Sequence, residues 1–372
     1  MRQQETFKQD MKDHFTIFQN QESGFLTRNV MTMYSISTTD FIVSEAIAQT
    51  YLWFLCGIGI PANTLAIIVI LTMQSMTPAT FLIASLAFFD GTALIVKLVV
   101  YLMDVYATPP CKTSFIVNFF SMMTNWTLAY VCLERFISVC YPLKKLYLVT
   151  LLRCVACVAV TAAAMLSYFV PVFSLMFFWN SNDTSCWVHN EYDEFYFYYH
   201  RWINETLVLF IPYTAVVVLT FVIVVKLKVN AKQRRKSLQS TGSANSKTPC
   251  SYTERVIKEN ERVESTLTIM LICTAILFIV LTLPSFLYFI IDKNSLRYPL
   301  IFKQLKYILY DSTHAFNFFI YFFSAAKFRC RFYKLIGVDR CRNGCKNESD
   351  ESREGEDDMS PNTHLTNFST NQ

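Results

Sequence analysis

The stretch Glu134-Arg135-Phe136-Ile137-Ser138-Val139-Cys140-Tyr141-Pro142-Leu143 closes a run of mostly apolar residues that begins near position 112. A pair of opposite charges says little by itself, because most such pairs lie on solvated faces. Here the pair stands at the end of an apolar run, and a helix needs about 20 mostly apolar residues to cross a bilayer. The stretch therefore indicates the end of a membrane-spanning helix.

Further runs of the same kind lie on both sides of this one. The chain has 372 residues, of which 53% are hydrophobic and only 16% are charged, whereas soluble domains average about 25% charged residues. That apolar excess is too large for one soluble core. Together the runs lie near 47–73, 79–103, 112–140, 150–178, 203–227, 266–291 and 304–326. They predict an all-α fold, a bundle of seven transmembrane helices.

Basic residues orient the predicted bundle. They lie beside one set of helix ends, at Lys144, Lys145 and Arg153 and in the segments 226–236 and 327–334. The positive-inside rule places these segments in the cytosol, and seven crossings then place the N-terminus outside the cell. The net charge of +5 reflects this bias and does not indicate binding to nucleic acid.

The sequence divides into three parts. Residues 1–46 form a predicted extracellular segment without a signal-peptide pattern, so the first helix is expected to act as the insertion signal. The seven-helix domain covers 47–335 and includes a predicted flexible loop at 228–263, whose last part has helix-forming residues that can extend helix six. The polar, acidic tail 336–372 is expected to be disordered in the cytosol.

Ionisable residues inside a bilayer are costly and usually face the bundle interior. Asp90 lies in the middle of the second run. Two interpretations are open: it is a hydrogen-bonded structural acid, or it forms a cation or proton site. Lys97 lies nearly two turns further on the same helix face. Asp311, His314 and Asn317 follow one another at one-turn spacing in the last run. Two arrangements remain open: Lys97 pairs with Asp311, or it reaches outward and Asp311 meets a ligand directly.

A second candidate contact lies at the cytoplasmic side. Glu264 stands at the start of helix six, on the same side of the membrane as Arg135. A carboxylate can hold a guanidinium by paired hydrogen bonds. These two residues are therefore candidates for a latch that holds helices three and six together in a resting state.

Taken together, these residues resemble the rhodopsin-like (class A) G-protein-coupled receptor family over about residues 47–335. The stretch 134–143 resembles the family's Asp/Glu-Arg-Tyr motif, with Phe136 for tyrosine. The other matching positions are Asn63, Leu86-Ala87-Phe88-Phe89-Asp90, Pro212, Pro284 and Asn317-Phe318-Phe319-Ile320-Tyr321. Two departures concern the activation motifs: Phe318 stands for the proline of helix seven, and Thr282 for the aromatic residue of helix six.

The resemblance implies a multi-pass receptor of the plasma membrane that is not an enzyme. Its partners would be a heterotrimeric G protein, with receptor kinase and arrestin at the tail. Coupling and switching would fall to Glu134, Arg135, Phe136, Glu264, Asn317 and Tyr321. A disulfide would join Cys111 to Cys186, and a short amphipathic eighth helix would begin at Phe328. Asp90, Thr124, His314 and Asn317 would form a polar centre able to hold a sodium ion; no other metal and no cofactor is implied.

The ligand is the least determined part of this interpretation. Candidate pocket residues are Lys97, Asp104, Val117, Asn118, Ser121, Trp187, Tyr288, Tyr307 and Asp311. The segment after Cys186 is long, aromatic and acidic, which suits a basic, aromatic peptide, as in invertebrate neuropeptide receptors of the FMRFamide type. The aromatic residues can instead form an interfacial belt, and the ligand can be a small chemosensory molecule. Asn182 is a candidate glycosylation site.

The rival from another class is a transporter or a channel. Its support is the set of charged and polar residues within the apolar runs, which could relay protons: Asp90, Lys97, Asp311 and His314. Transporters often show internal repeats with matching broken helices, and the two halves of this chain show none. The motifs at the cytoplasmic side therefore favour the receptor.

Overall fold

In the computed structural model, seven long helices account for most of the described residues, which are 38–72, 76–106, 115–180, 185–241, 252–290, 299–324, 326–335 and 337. The helices are α1 (Thr38–Leu71), α2 (Pro78–Tyr106), α3 (Phe115–Cys140), α4 (Leu151–Met176), α5 (Ile211–Thr241), α6 (Tyr252–Ile290) and α7 (Pro299–Ser324). Shorter helices, Pro142–Leu148 and Ala326–Leu335, follow α3 and α7. The predicted bundle is confirmed.

Six of the helical segments are long and apolar enough to cross a membrane. The helix outside this set is α7, which has the length but carries several polar residues. Three of them, Asp311, His314 and Asn317, are buried. The polar side of α7 therefore faces the other helices, which is where polar groups within a bilayer are tolerated.

Three helices extend beyond the apolar runs that predict them. α1 begins at Thr38, and α5 and α6 continue into the segment 228–263 that the sequence predicts as a flexible loop. That prediction is corrected for 228–241 and 252–263, which are helical, whereas the extension of helix six is as expected. Lysine, arginine, glutamine and glutamate are good helix formers, so a helix continues past its apolar part.

A two-stranded hairpin stands between α4 and α5. Its strands, β1 (Phe177–Asn180) and β2 (Ser185–Val188), are antiparallel, with Trp179 opposite Cys186. We call this end of the bundle the hairpin end and the opposite one the Arg135 end. The hairpin end rests on an apolar cluster that includes Met122 of α3 and Phe169 of α4.

The chain enters α5 through turns of changing pitch. They are a π-helical turn at Phe195–His200, an α-helical turn at Arg201–Glu205 and a second π-helical turn at Thr206–Phe210. The second π-helical turn presents two backbone carbonyls to α3. The Asn125 side-chain amide donates to the Val208 carbonyl at 2.8 Å, and Trp126 Nε1 donates to the Leu207 carbonyl at 2.9 Å. These bonds hold α3 against the start of α5.

α1 packs closely on α7. A Cβ atom at Gly59 would lie 3.1 Å from the Cα atom of Ala315, so a larger residue would require α7 to move away by a few tenths of an ångström. One turn further, the Asn63 amide donates to the carbonyls of Gly59 at 2.9 Å and His314 at 2.8 Å. The close contact thus fixes the backbone of α7 at His314.

α1 also caps α7. The buried Asp40 carboxylate accepts hydrogen bonds from the backbone N–H groups of Leu300 at 3.2 Å and Ile301 at 3.0 Å. The first N–H groups of a helix have no partner within it, and negative charge is favourable there. The hairpin ends of α1 and α7 are therefore joined by charge as well as by packing.

Candidate functional site

Lys97 of α2 and Asp311 of α7 form a buried ion pair in the half of the bundle nearer the hairpin. Lys97 Nζ lies 2.5 Å from Asp311 Oδ1, and the two side chains are 12% and 6% exposed. The Tyr51 hydroxyl of α1 donates to Asp311 Oδ2 at 3.4 Å. Lys97 Nζ also lies 5.3 Å from the centre of the Tyr310 ring. Of the two arrangements that the sequence leaves open, the structure contains the ion pair.

Tyr310 connects this ion pair to α3 and α5. Its hydroxyl accepts a hydrogen bond at 2.9 Å from Asn125 Nδ2, the same group that donates to the Val208 carbonyl. Asn125 is fully buried. Sequence reasoning missed Asn125 as a functional residue, although a polar amide inside an apolar run is the kind of signal that points to one.

The polar centre predicted around Asp90 is assembled in the structure. Asp90 Oδ1 lies 2.8 Å from His314 Nδ1, and Asp90 Oδ2 accepts a hydrogen bond of 2.5 Å from Asn317 Nδ2. Asp90 and His314 are both 0% exposed. Thr124 of α3 lies beside the same carboxylate, but its buried hydroxyl makes no hydrogen bond of good geometry. α2 and α7 are thus joined a second time.

A sodium ion does not fit this centre in its present arrangement. A hard cation needs oxygen ligands with free lone pairs. Each oxygen of Asp90 faces a nitrogen atom that takes one of its lone pairs, and one proton lies between His314 Nδ1 and Asp90 Oδ1, whichever of the two groups carries it. The sodium ion that the family resemblance implies would compete with these contacts for the same carboxylate.

Glu134 and Arg135 form a second ion pair, at the Arg135 end. Glu134 Oε2 lies 2.5 Å from Arg135 Nε, and both side chains are buried. Ser138 Oγ donates to Glu134 Oε1 at 3.0 Å. The Phe136 ring packs edge-on against Tyr141, with ring centres 5.9 Å apart. The ion pair and the hydrogen bond described for these residues stay within α3.

Several predicted residues fall outside what the structure describes. Cys111 and Asn182 lie outside the described residues, as do the side chains of Asp104, Cys186, Trp187, Glu264 and Tyr321. The disulfide, the glycosylation site and the latch between Arg135 and Glu264 therefore stay predictions.

The remaining pocket candidates lie on α3, α6 and α7. Ser121 is buried, and Val117 and Asn118 are partly buried on the same helix. Tyr288 of α6 and Tyr307 of α7 meet around a residue that the sequence did not single out. Lys306 Nζ lies 4.4 Å from the centre of the Tyr288 ring and 4.6 Å from that of Tyr307. Positive charge among aromatic rings thus lies between α6 and α7.

The acidic and aromatic residues after the hairpin separate onto two faces. Glu191 and Glu194 are exposed, whereas Tyr192, Phe195 and Tyr196 pack on the apolar cluster of α3 and α4. Three of the four aromatic residues whose side chains the structure describes therefore anchor the loop, whereas Tyr199 and the two carboxylates are exposed.

His200 lies at the end of this loop, just before the apolar span that begins at Arg201. Its Nδ1 is 2.7 Å from the Tyr168 hydroxyl, and its ring stacks on Tyr168 and on Tyr196. Burial lowers the pKa of His200 to about 4. The histidine is therefore neutral at neutral pH and acts as part of the aromatic packing.

Comparison with known proteins identifies the architecture. The family model of the 7 transmembrane receptor (rhodopsin family) matches residues 62–326. The crystal structure of squid rhodopsin aligns with a TM-score of 0.61 at 17% sequence identity, covering 85% of this chain and 91% of the squid chain. At that identity the structural match shows the fold alone. A sequence search of curated proteins finds no match.

Proposed function

The chain belongs to the rhodopsin family of seven-transmembrane receptors, and we propose that its ligand is a basic, aromatic peptide that binds at the hairpin end. As a member of this family it is a multi-pass membrane receptor that couples an extracellular ligand to a G protein, and it is not an enzyme. The transporter interpretation is therefore set aside. In the proposal the receptor lies in the plasma membrane, with the hairpin end outside and the Arg135 end in the cytosol.

The observation that carries the peptide proposal is the hairpin with its acidic continuation. A β-hairpin between α4 and α5 provides an extended edge over the bundle, and an extended peptide can pair with such an edge. The exposed Glu191 and Glu194 follow it directly. Opposite charges steer a basic ligand towards this surface and increase its rate of association.

The half of the bundle below the hairpin supplies the path by which binding would be transmitted. The Lys97–Asp311 pair lies between α2 and α7, and Tyr310 and Asn125 extend its contacts to α3 and to the start of α5. A ligand that contacts this network can shift the receptor between states only by its differential affinity for them. We expect the active state to move α6 away from α3 at the Arg135 end, where the G protein would bind, and the tail 336–372 would receive receptor kinase and arrestin.

A screen for ligands tests the proposal. The receptor is expressed with promiscuous G-protein α subunits, and amidated neuropeptides are applied with a calcium readout. We expect a response to one or more basic, aromatic peptides, and its loss in Arg135→Ala at unchanged surface expression. Silence across the panel, with the receptor present at the surface, would contradict the peptide proposal. A response to small chemosensory molecules in its place would establish the rival ligand class.

A matched pair of variants then tests where the peptide binds. Glu194→Gln and Glu45→Gln each remove one carboxylate; Glu194 follows the hairpin, whereas Glu45 lies on α1 beside Gln49. For a basic peptide we expect Glu194→Gln to reduce the potency by about three- to tenfold, and this reduction to be smaller at high salt. Glu45→Gln should leave the potency near that of the wild type. Equal potencies for the two variants would place the peptide elsewhere.

A further inference from the structure

We infer that the oxygens of Asp90 are satisfied from within this receptor, by contacts to His314 and Asn317, and that the site does not take up the sodium ion that the sequence leads one to expect. The inference concerns the middle of the bundle and does not depend on which ligand the receptor binds. It rests on the contacts of one carboxylate and on the way its partners are held.

Each oxygen of the Asp90 carboxylate already has a nitrogen partner. His314 Nδ1 lies 2.8 Å from Oδ1, and Asn317 Nδ2 lies 2.5 Å from Oδ2. All three side chains are buried, so water does not compete for these positions. A cation at the carboxylate would meet the positive ends of two N–H dipoles at the distance where it needs oxygen atoms.

His314 is held in this position from three directions. Its backbone carbonyl accepts the hydrogen bond of 2.8 Å from Asn63, which fixes α7 against α1. Its ring meets the Tyr310 ring edge-on, with ring centres 5.7 Å apart, and its Nδ1 meets Asp90. Withdrawing the imidazole to admit a cation would therefore break its contacts to Asp90 of α2 and Tyr310 of α7, while the backbone bond to Asn63 holds α7 in place.

The lysine in this part of the bundle, Lys97, pairs with a carboxylate other than that of Asp90. Lys97 lies on the same helix as Asp90, and its ammonium pairs with Asp311 at 2.5 Å. Each of these two acids thus has its own partner: Asp311 contacts Lys97, and Asp90 contacts His314. A sodium ion at Asp90 would have to displace the imidazole or the Asn317 amide from the carboxylate, and a buried polar group left without its partner costs free energy.

Thermal unfolding of the purified full-length receptor tests the inference without an agonist. The melting temperature is measured in equal concentrations of sodium, potassium and choline chloride. A ligand that binds only the folded state raises the melting temperature. We expect no difference between the salts for the wild-type receptor. A rise specific to sodium that disappears in Asp90→Asn would overturn the inference.

The variant His314→Ser sharpens the test, because serine removes the imidazole and offers an oxygen. We expect this variant to melt about 2–4 °C higher in sodium chloride than in potassium or choline chloride, and the double variant Asp90→Asn/His314→Ser to lose the difference. A folded His314→Ser receptor that melts equally in all three salts would overturn the role given to His314. If His314→Ser does not fold, the melting temperatures of the wild type and of Asp90→Asn in the three salts decide whether sodium binds at Asp90.

Discussion

The hairpin half and the Arg135 half of the bundle each hold a buried ion pair, and the two pairs are built differently. Lys97 and Asp311 lie on α2 and α7, with Tyr51 of α1 as a third partner. Glu134 and Arg135 are neighbours on α3, and Ser138 of the same helix is their further partner. The first pair joins helices, whereas the polar contacts described for the second stay within one helix.

This difference indicates which half is held together and which half can open. Breaking contacts between helices costs free energy whenever the helices separate, so the Lys97–Asp311 pair resists movement in the hairpin half. A pair within one helix moves with that helix and imposes no such cost. We therefore expect changes in the hairpin half to affect stability, and changes in the Arg135 half to affect signalling.

The largest effect is expected from breaking the pair between helices. Lys97→Met leaves the Asp311 carboxylate buried without its cation, and removing one partner of a buried ion pair costs about 3–5 kcal/mol of the free energy of unfolding. We expect a lower melting temperature of the solubilised receptor and less receptor at the cell surface. Thermal unfolding and surface labelling measure the two.

Two further variants control this prediction. Lys306→Met is matched in chemistry, but the Lys306 ammonium contacts, among the described residues, the rings of Tyr288 and Tyr307. Lys97→Met/Asp311→Leu removes both charges of the pair and should recover much of the loss, since apolar replacements of a buried pair are often neutral. Equal melting temperatures of Lys97→Met and Lys306→Met would contradict a supporting role for the pair.

A smaller effect is expected at Asn125. Asn125→Leu removes the hydrogen bonds to the Val208 carbonyl and the Tyr310 hydroxyl, and leaving such buried groups unpaired costs about 1–3 kcal/mol. Since this amide joins α3 to α5 and α7, we also expect a lower maximal response to agonist. Both are measured at matched surface expression.

Trp126→Phe is the control for Asn125, because it removes the hydrogen bond from the neighbouring residue to the Leu207 carbonyl and leaves the Asn125 amide and its bond to Tyr310 in place. It should reduce stability without changing the maximal response. If Asn125→Leu and Trp126→Phe reduce the maximal response equally, the link to α7 has no part in signalling.

The smallest effect on stability is expected at Glu134. Glu134→Gln keeps the size of the side chain and gives Arg135 a neutral amide oxygen in place of the carboxylate, so the buried guanidinium keeps an acceptor but loses its counter-charge. We expect a loss of about 1 kcal/mol in stability, the difference between a charged and a neutral hydrogen bond, with a rise in ligand-independent G-protein activation. Ser138→Ala keeps the ion pair and should raise activation less. A large loss of stability without added activation would mean that the pair holds helices together after all.

The fold could be predicted from the sequence to a large extent, because each helix within a bilayer satisfies its own backbone. The apolar runs therefore located the helices, and the main corrections concern α1, α5 and α6, which continue beyond their apolar parts. The π-helical turn before α5 was not predicted. No pattern of residue types marks such a turn, and the role of Asn125 depends on the carbonyl that the turn presents.

By itself the sequence determined that the chain forms a bundle of membrane-spanning helices with charged residues inside it, because apolar length and the cost of buried charge are local properties. It also singled out Glu134 and Arg135, which are adjacent. Only the tertiary structure decided that Lys97 pairs with Asp311, 214 residues away, and that Asp90 pairs with His314, 224 residues away. Such a pair exists only where packing brings two helix faces together, and many different packings can bury the same charged residues.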